Sequence, residues 1–195
     1  MLSYVLYGLI GCAALLQVDS KPVSEDSSAM QTPVPTQFGI IDTEDCDQTS
    51  IGSTVCNMVF YDHNKELWQL YDHEGKVIVL DFSTVWCGPC QAAGHHAQPI
   101  QDYYAGNVEF VTVLIDGATG DPPTEAEIIE WVAAHNITTS PVLYADRTVV
   151  DPTGENGYLI GGFPTYVFID RELKIHVGAV GFNEEYVRSV IEGLL

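Results

Sequence analysis

A chain of 195 residues, 46% of them hydrophobic, is long enough to form one domain with a buried core. Its 27 acidic and 7 basic residues give a formal net charge of −20 at pH 7, which repels the phosphates of nucleic acids and anionic lipid surfaces. The charge therefore argues against a nucleic-acid partner. Charged residues make up only 17% of the chain, so the composition also lacks the low hydrophobicity of a wholly disordered protein.

The first 16 residues are mostly apolar and carry no charged side chain, yet they are fewer than the roughly 18 to 20 residues that span a bilayer. Residues 1–16 are therefore predicted to be a secretion signal. Leu9-Ile10-Gly11-Cys12 resembles the bacterial lipobox, which implies cleavage before Cys12 and a lipid anchor on its sulfur. No Lys or Arg precedes the apolar run, so an ordinary cleaved signal, or an apolar segment that is retained, is the alternative.

Residues 17–37 are rich in Ser, Pro, Thr and acidic side chains and contain few large apolar groups. Such a composition cannot offset the entropy lost on ordering, so this segment is predicted to be a flexible tether. The single folded domain is expected to span residues 38–195.

Strand-like and helix-like segments alternate along the folded part. In chain order the predicted elements are a hairpin over 59–70, a strand over 77–82, a helix from 87 to about 104, a strand over 108–115, a helix over 124–135, an antiparallel hairpin of 166–170 with 175–180, and a helix over 184–194. Pro99 should kink or divide the first helix, and Thr124 with Glu127 forms the pattern of a capping box. Strand, helix and strand in succession predict a parallel βαβ unit and an α/β fold.

The chemistry-bearing motif is Trp86-Cys87-Gly88-Pro89-Cys90, at the junction of a predicted strand and a predicted helix. A helix N-terminus stabilises an anion, so Cys87 can be a thiolate near neutral pH and is the candidate nucleophile. Cys90, one turn further along, is placed to attack a mixed disulfide and release the product. Gly88 and Pro89 allow the tight turn between the two cysteines.

This motif and its surroundings resemble the thioredoxin superfamily, and within it the extracytoplasmic TlpA/ResA-like thiol-disulfide oxidoreductases. The resemblance covers about residues 50–195 and rests on Asp62-His63-Asn64-Lys65, Gly75-Lys76-Val77, Asp81-Phe82, the Trp86–Cys90 motif and Gly162-Phe163-Pro164-Thr165. It implies a thioredoxin-like fold with a central mixed β-sheet flanked by helices. It further implies an N-terminal β-hairpin extension and an inserted helix and strand within residues 124–160.

The resemblance also implies roles for residues outside the cysteine motif. Pro164 matches the cis-proline that lies against the cysteines, and Phe163 would supply backbone groups that pair with an extended substrate. Asp81 matches the buried acid beneath the disulfide, which can take a proton from the resolving thiol. Ala93 and Thr112 stand where relatives carry a Glu and a Lys near this acid, so Asp81 would act without those helpers.

Cys46 and Cys56 lie in a loop-rich segment ahead of the first strand. In an oxidising compartment they are expected to form a structural disulfide. A second redox pair that relays electrons is the alternative, although nothing around these cysteines indicates a helix N-terminus.

Together these features predict an enzyme that reduces protein disulfides outside the cytoplasm, in the periplasm or at the cell surface. It would use the Cys87–Cys90 pair and no other cofactor or metal. Its partners would be protein disulfide and thiol substrates, a membrane thiol electron donor, and a membrane that holds the lipid on Cys12.

The same segment of the sequence allows two alternative functions. His95 and His96 follow the motif and allow a metal-binding chaperone, although copper-delivery relatives place three residues between their cysteines. Thr84 and Cys87 have the T-x-x-C spacing of a thiol peroxidase, but Leu80 stands where those enzymes carry a proline.

Overall fold

A five-stranded mixed sheet lies at the centre of the domain in the computed structural model, which describes residues 38–42, 45–154 and 157–195. Its strands, in spatial order, are β6 (Val142–Tyr144), β5 (Val108–Asp116), β4 (Val77–Thr84), β7 (Thr165–Ile169) and β8 (Ile175–Val180). Neighbours β4, β5 and β6 run parallel, whereas β7 is antiparallel to β4 and to β8. Strands β4 and β5 are buried along their whole length, because layers of structure cover both faces of the sheet.

Four α-helices accompany this sheet within the described residues: α1 (Gly88–Gly94), α2 (Ala97–Tyr103), α3 (Glu125–Ala134) and α4 (Glu184–Leu194). The predicted helix from 87 to 104 is divided, and the break falls ahead of Pro99. Pro99 lies in the first turn of α2, where its missing N–H costs no intrahelical hydrogen bond. The capping box at the start of α3 is confirmed, since Thr124 and Glu127 bond reciprocally.

A second, three-stranded antiparallel sheet is formed by β1 (Gly39–Ile41), β2 (Asn57–Tyr61) and β3 (Leu67–Gln69). Its β2–β3 hairpin is the predicted one, and the Asp62 carboxylate closes the turn by accepting the N–H groups of Asn64 and Glu66. Strand β1 lies at the edge of this sheet and was not predicted from the sequence. The thioredoxin-like fold with its N-terminal hairpin extension is thus confirmed.

The core fills both faces of the central sheet. Ile78, Leu80 and Phe82 of β4 point toward the three-stranded sheet, whereas Val77 and Val79 point toward α2 and α4. This alternation is that of a strand covered on both sides, so Asp81 shares the face of Val77 and Val79.

The predicted signal and tether, including Cys12, lie outside the described residues. Within the part of the chain that the structure describes, no helix has both the length and the apolar character needed to cross a bilayer.

Candidate active site

The cysteine motif lies where β4 passes into α1. Cys87 is the N-cap residue of α1, and its Sγ accepts the backbone N–H of Cys90 at 3.2 Å. The two sulfurs form a disulfide, and Gly88 and Pro89 occupy the first turn of the helix between them. Cys87 is 5% exposed and Cys90 is fully buried, so a disulfide or thiol from outside reaches Cys87 first.

The Phe163–Pro164 peptide bond is cis and immediately precedes β7. The Phe163 ring meets the ring of Trp86 edge-on at 6.1 Å between centroids, and it packs against the cluster that contains both cysteines of the motif. Among the described residues, the backbone N–H and C=O of Phe163 have no hydrogen-bond partner. The loop before β7 therefore presents free backbone groups beside the disulfide.

Asp81 is 1% exposed and lies on the same sheet face as Leu114 of β5, which belongs to the same buried cluster as Cys87 and Cys90. Its Oδ1 accepts the hydroxyl of Ser83 at 2.8 Å. Burial raises the pKa of Asp81 to about 7, because removal from water disfavours the ionised carboxylate. This acid can consequently gain or lose a proton near neutral pH.

A second buried acid, Asp116, holds the outer part of the site together. It ends β5, and its carboxylate accepts the indole N–H of Trp86 at 3.1 Å and the Nε–H of Arg147 at 2.9 Å. The Nη2 group of Arg147 completes a two-point ion pair with the same carboxylate. Asp116 and Arg147 were absent from the sequence prediction. An acid at the carboxyl end of a buried strand was the available signal, but its partner lies 31 positions further along the chain.

A groove of about 600 Å³ opens beside the motif. It is lined by Trp86, Arg147, Val150, Pro152, Ile160, Gly161, Gly162 and Phe163. The lining is largely apolar with one cation, and much of it comes from the segment between β6 and β7.

The other sequence candidates lie apart from this arrangement. Cys46 and Cys56 form a second disulfide in the segment between β1 and β2. His95 and His96 lie in the turn between α1 and α2, where the His95 ring packs against the His135 ring at a tilted angle and His96 lies 3.0 Å from Glu184.

The comparisons with known proteins agree with this geometry. Residues 59–129 match the sequence model of the thioredoxin family. The thiol-disulfide oxidoreductase ResA of Oceanobacillus iheyensis is 35% identical over 104 residues, which cover 52% of this chain and 47% of that protein. ResA of Bacillus cereus is 26% identical over 152 residues, covering 77% of this chain and 80% of the relative. The chain thus spans about half the length of the Oceanobacillus protein and most of the Bacillus one.

The solved structures show the same fold. The thiol:disulfide interchange protein DsbE of Chlorobium tepidum superposes with a TM-score of 0.58 at 24% identity, over 75% of this chain and 99% of that one. The exposed lipoprotein thioredoxin of Streptococcus pneumoniae gives the same TM-score and identity, over 71% of this chain and 99% of that one. Residues 59–129 therefore resemble the thioredoxin family, the described part of the chain has a thioredoxin-like fold, and ResA-like thiol-disulfide oxidoreductases are among its relatives.

Proposed function

We propose that this protein reduces disulfide bonds in protein substrates by thiol-disulfide exchange at Cys87 and Cys90. The observation that carries the proposal is the position of the cysteine pair, with Cys87 reachable at a helix N-terminus and Cys90 buried one turn behind it. The names of the ResA relatives support the same class of reaction.

The reaction begins with the reduced pair. The Cys87 thiolate attacks a substrate disulfide, a mixed disulfide forms, and one substrate sulfur leaves as a thiolate that takes up a proton. Asp81 then takes the proton of the Cys90 thiol, and the resulting thiolate attacks the Cys87 sulfur. The second substrate thiol is released, two electrons have passed to the substrate, and the enzyme is left with the Cys87–Cys90 disulfide.

Substrate binding uses the loop before β7 and the adjoining groove. An extended substrate segment pairs with the free backbone groups of Phe163, and a neighbouring apolar side chain enters the groove beside Trp86. A groove of this size and lining accommodates one or two side chains, so it confers a preference among substrates in addition to general disulfide reactivity.

We place the reaction outside the cytoplasm, with the domain held at a membrane by a lipid on Cys12 and residues 17–37 as the spacer. The lipobox-like sequence supports the anchor, and the Cys46–Cys56 disulfide supports an oxidising compartment. Because such a compartment supplies no thiols, a membrane thiol donor would reduce the Cys87–Cys90 disulfide after each turnover.

The test of the activity is reduction of insulin disulfides by the full chain. Cys87→Ser should abolish the reaction, because the attacking thiolate is gone. The double variant Cys46→Ser/Cys56→Ser is the matched control: it removes the other disulfide and should retain the activity. Full activity of Cys87→Ser, or its loss in the control alone, would overturn the assignment.

The anchor is tested separately by Cys12→Ser. We expect the native protein to partition into the detergent phase and to carry acyl mass on its first residue after processing. The variant should be soluble or uncleaved. Unchanged partitioning of the variant, together with native protein lacking acyl mass, would leave an ordinary signal peptide instead of a lipid anchor.

A further inference from the structure

Three polar residues lie in one row across the central sheet. Asp81 of β4 is in register with Thr112 of β5 on one side and with Tyr166 of β7 on the other. Residues opposite one another on neighbouring strands project from the same face, so these side chains are neighbours. All three are buried. The row continues from Thr112 to Val142 of β6, which belongs to the same buried cluster as Cys90.

Three side-chain oxygens of this row are buried without a well-formed hydrogen bond. Oδ2 of Asp81, Oγ1 of Thr112 and the Tyr166 hydroxyl are buried, and none of them has a hydrogen-bond partner of standard geometry among the described residues. Oδ1 of Asp81 is already occupied by Ser83. Buried polar groups are normally paired, and the Tyr166 hydroxyl is close enough to Asp81 for each group to shift the pKa of the other. Tyr166 is therefore the group available to Oδ2.

Among the described residues, no cation shifts the pKa of this carboxyl. The groups that shift the pKa of Asp81 besides burial are the hydroxyls of Ser83 and Tyr166, and both lower it. Near the helices that cover this face, Tyr104, the C-cap residue of α2, donates to Glu192 of α4 and lies beside Arg188. None of these three shifts the pKa of Asp81.

The facing strands and α1 add no charge either. Thr112 of β5 carries a hydroxyl, and Ala179 of β8 stands opposite Tyr166. On α1, the titratable group is Cys90, the thiol whose proton Asp81 takes in the proposed reaction. The stabilisation that a lysine would give to an ionised Asp81 must come from neutral hydroxyls.

We propose that Tyr166 is a positioning residue for proton transfer, donating its hydroxyl hydrogen bond to Oδ2 of Asp81 whenever that carboxyl is ionised. The proposal deepens the proposed function and rests on it. When Asp81 takes the proton of the Cys90 thiol, the carboxyl becomes neutral, the Cys90 sulfur becomes a thiolate, and the Tyr166 O–H bond stays intact. A hydrogen bond to the charged form favours that form, so Tyr166 keeps a useful fraction of Asp81 ionised at neutral pH.

Titration of the Asp81 carboxyl carbon by NMR in the oxidised full chain tests the contact without relying on catalysis. The disulfide-bonded Cys87 and Cys90 do not titrate in this state. We expect the native midpoint near pH 7 and a midpoint about one pH unit higher in Tyr166→Phe, because the carboxylate loses a donor. Tyr158→Phe is the matched control. Tyr158 is also buried, and its hydroxyl has no hydrogen-bond partner among the described residues, but it packs on Phe82, on the opposite face of the sheet.

The second measurement is the pH profile of single-turnover release of the substrate thiol. A midpoint one unit higher makes Tyr166→Phe about fivefold slower at pH 7 and equal to the native protein at high pH. In an Asp81→Asn background the same change should have no effect. An unmoved Asp81 midpoint, or an equal shift in Tyr158→Phe, overturns the contact. A moved midpoint with an unchanged profile overturns the part in proton transfer. Absence of any release of substrate thiol by the native protein would instead overturn the proposed function.

Discussion

Two buried aspartates lie on adjacent strands near the Cys87–Cys90 disulfide and have very different surroundings. Asp81 and Asp116 are each 1% exposed. Asp116, at the end of β5, accepts one hydrogen bond from Trp86 and is paired with the guanidinium of Arg147. Asp81, on the central strand β4, has the hydroxyls of Ser83 and Tyr166 as neighbours, and no cation among the described residues shifts its pKa.

The comparison shows that partners, and not burial alone, decide what a buried carboxyl does. Removing a charge from water is costly unless a counter-charge and hydrogen bonds compensate for the loss. Asp116 has that compensation and acts as a fixed anchor for the groove. Asp81 lacks it, so its pKa is raised to about 7 and the group can exchange protons in the physiological range.

The largest expected effect comes from Asp81→Asn, which removes the uncompensated charge. A pKa raised in the folded state means that the stability from this group is fully present below pH 3.8 and is lost as the pH rises toward 7. The variant does not titrate, so its advantage in free energy of unfolding should grow by up to about 4 kcal/mol between acid and neutral pH. Urea unfolding of both oxidised proteins across this range measures the difference. A constant difference would show that Asp81 titrates like an exposed carboxyl.

Asp116→Asn makes the same atomic change at the same burial and should act in the opposite direction. It leaves the Arg147 guanidinium without its carboxylate, and we expect the free energy of unfolding to fall by roughly 1 to 2 kcal/mol at neutral pH. The exposure of 60% of the Arg147 side chain limits the loss, since water solvates the freed cation. The variant should also reduce insulin less efficiently, because Trp86 and Arg147 lose their common anchor. Equal stabilisation by both Asp→Asn changes would contradict the contrast between the two sites.

The smallest effect is expected from Arg147→Lys, which keeps the charge but loses the two-point geometry. Its cost in free energy of unfolding should be about 0.5 kcal/mol, typical of a largely exposed ion pair. The change should raise KM for a disulfide-containing peptide and leave kcat unaltered, since Arg147 lines the groove and lies outside the cysteine motif. Steady-state kinetics with the native protein as reference separates the two parameters. A fall in kcat with unchanged KM would place Arg147 in the exchange step itself.

Sequence patterns within a single segment were sufficient to predict the longer strands and helices. The apolar run of β4 and the amphipathic α4 were readable directly, and the cysteine motif identified its own helix N-terminus. Strands β1 and β6 are each three residues long, too short to show an alternating pattern, and they exist because neighbouring strands supply hydrogen bonds. For β6, the family resemblance alone had implied a strand in this region.

The same distinction between local patterns and distant contacts holds for the candidate site. The roles of Cys87, Cys90 and Pro164 stay predictions drawn from motif and resemblance, with positions that suit them. Contacts between distant parts of the chain could not be predicted from the sequence. Nothing in the sequence joins Asp116 to Arg147, and only strand register brings Tyr166 beside the acid of β4.

The central claim is that Cys87 attacks and Cys90 resolves, and Cys90→Ser tests it most directly. The purified variant, reduced and mixed with a disulfide-containing protein substrate, is analysed by mass spectrometry without reductant. We expect a stable adduct of one substrate chain joined to Cys87, because attack proceeds while release needs the missing thiol. The native protein should show no such accumulation, and Cys87→Ser should form no adduct. Normal turnover of Cys90→Ser, or an adduct on any cysteine other than Cys87, would contradict the mechanism.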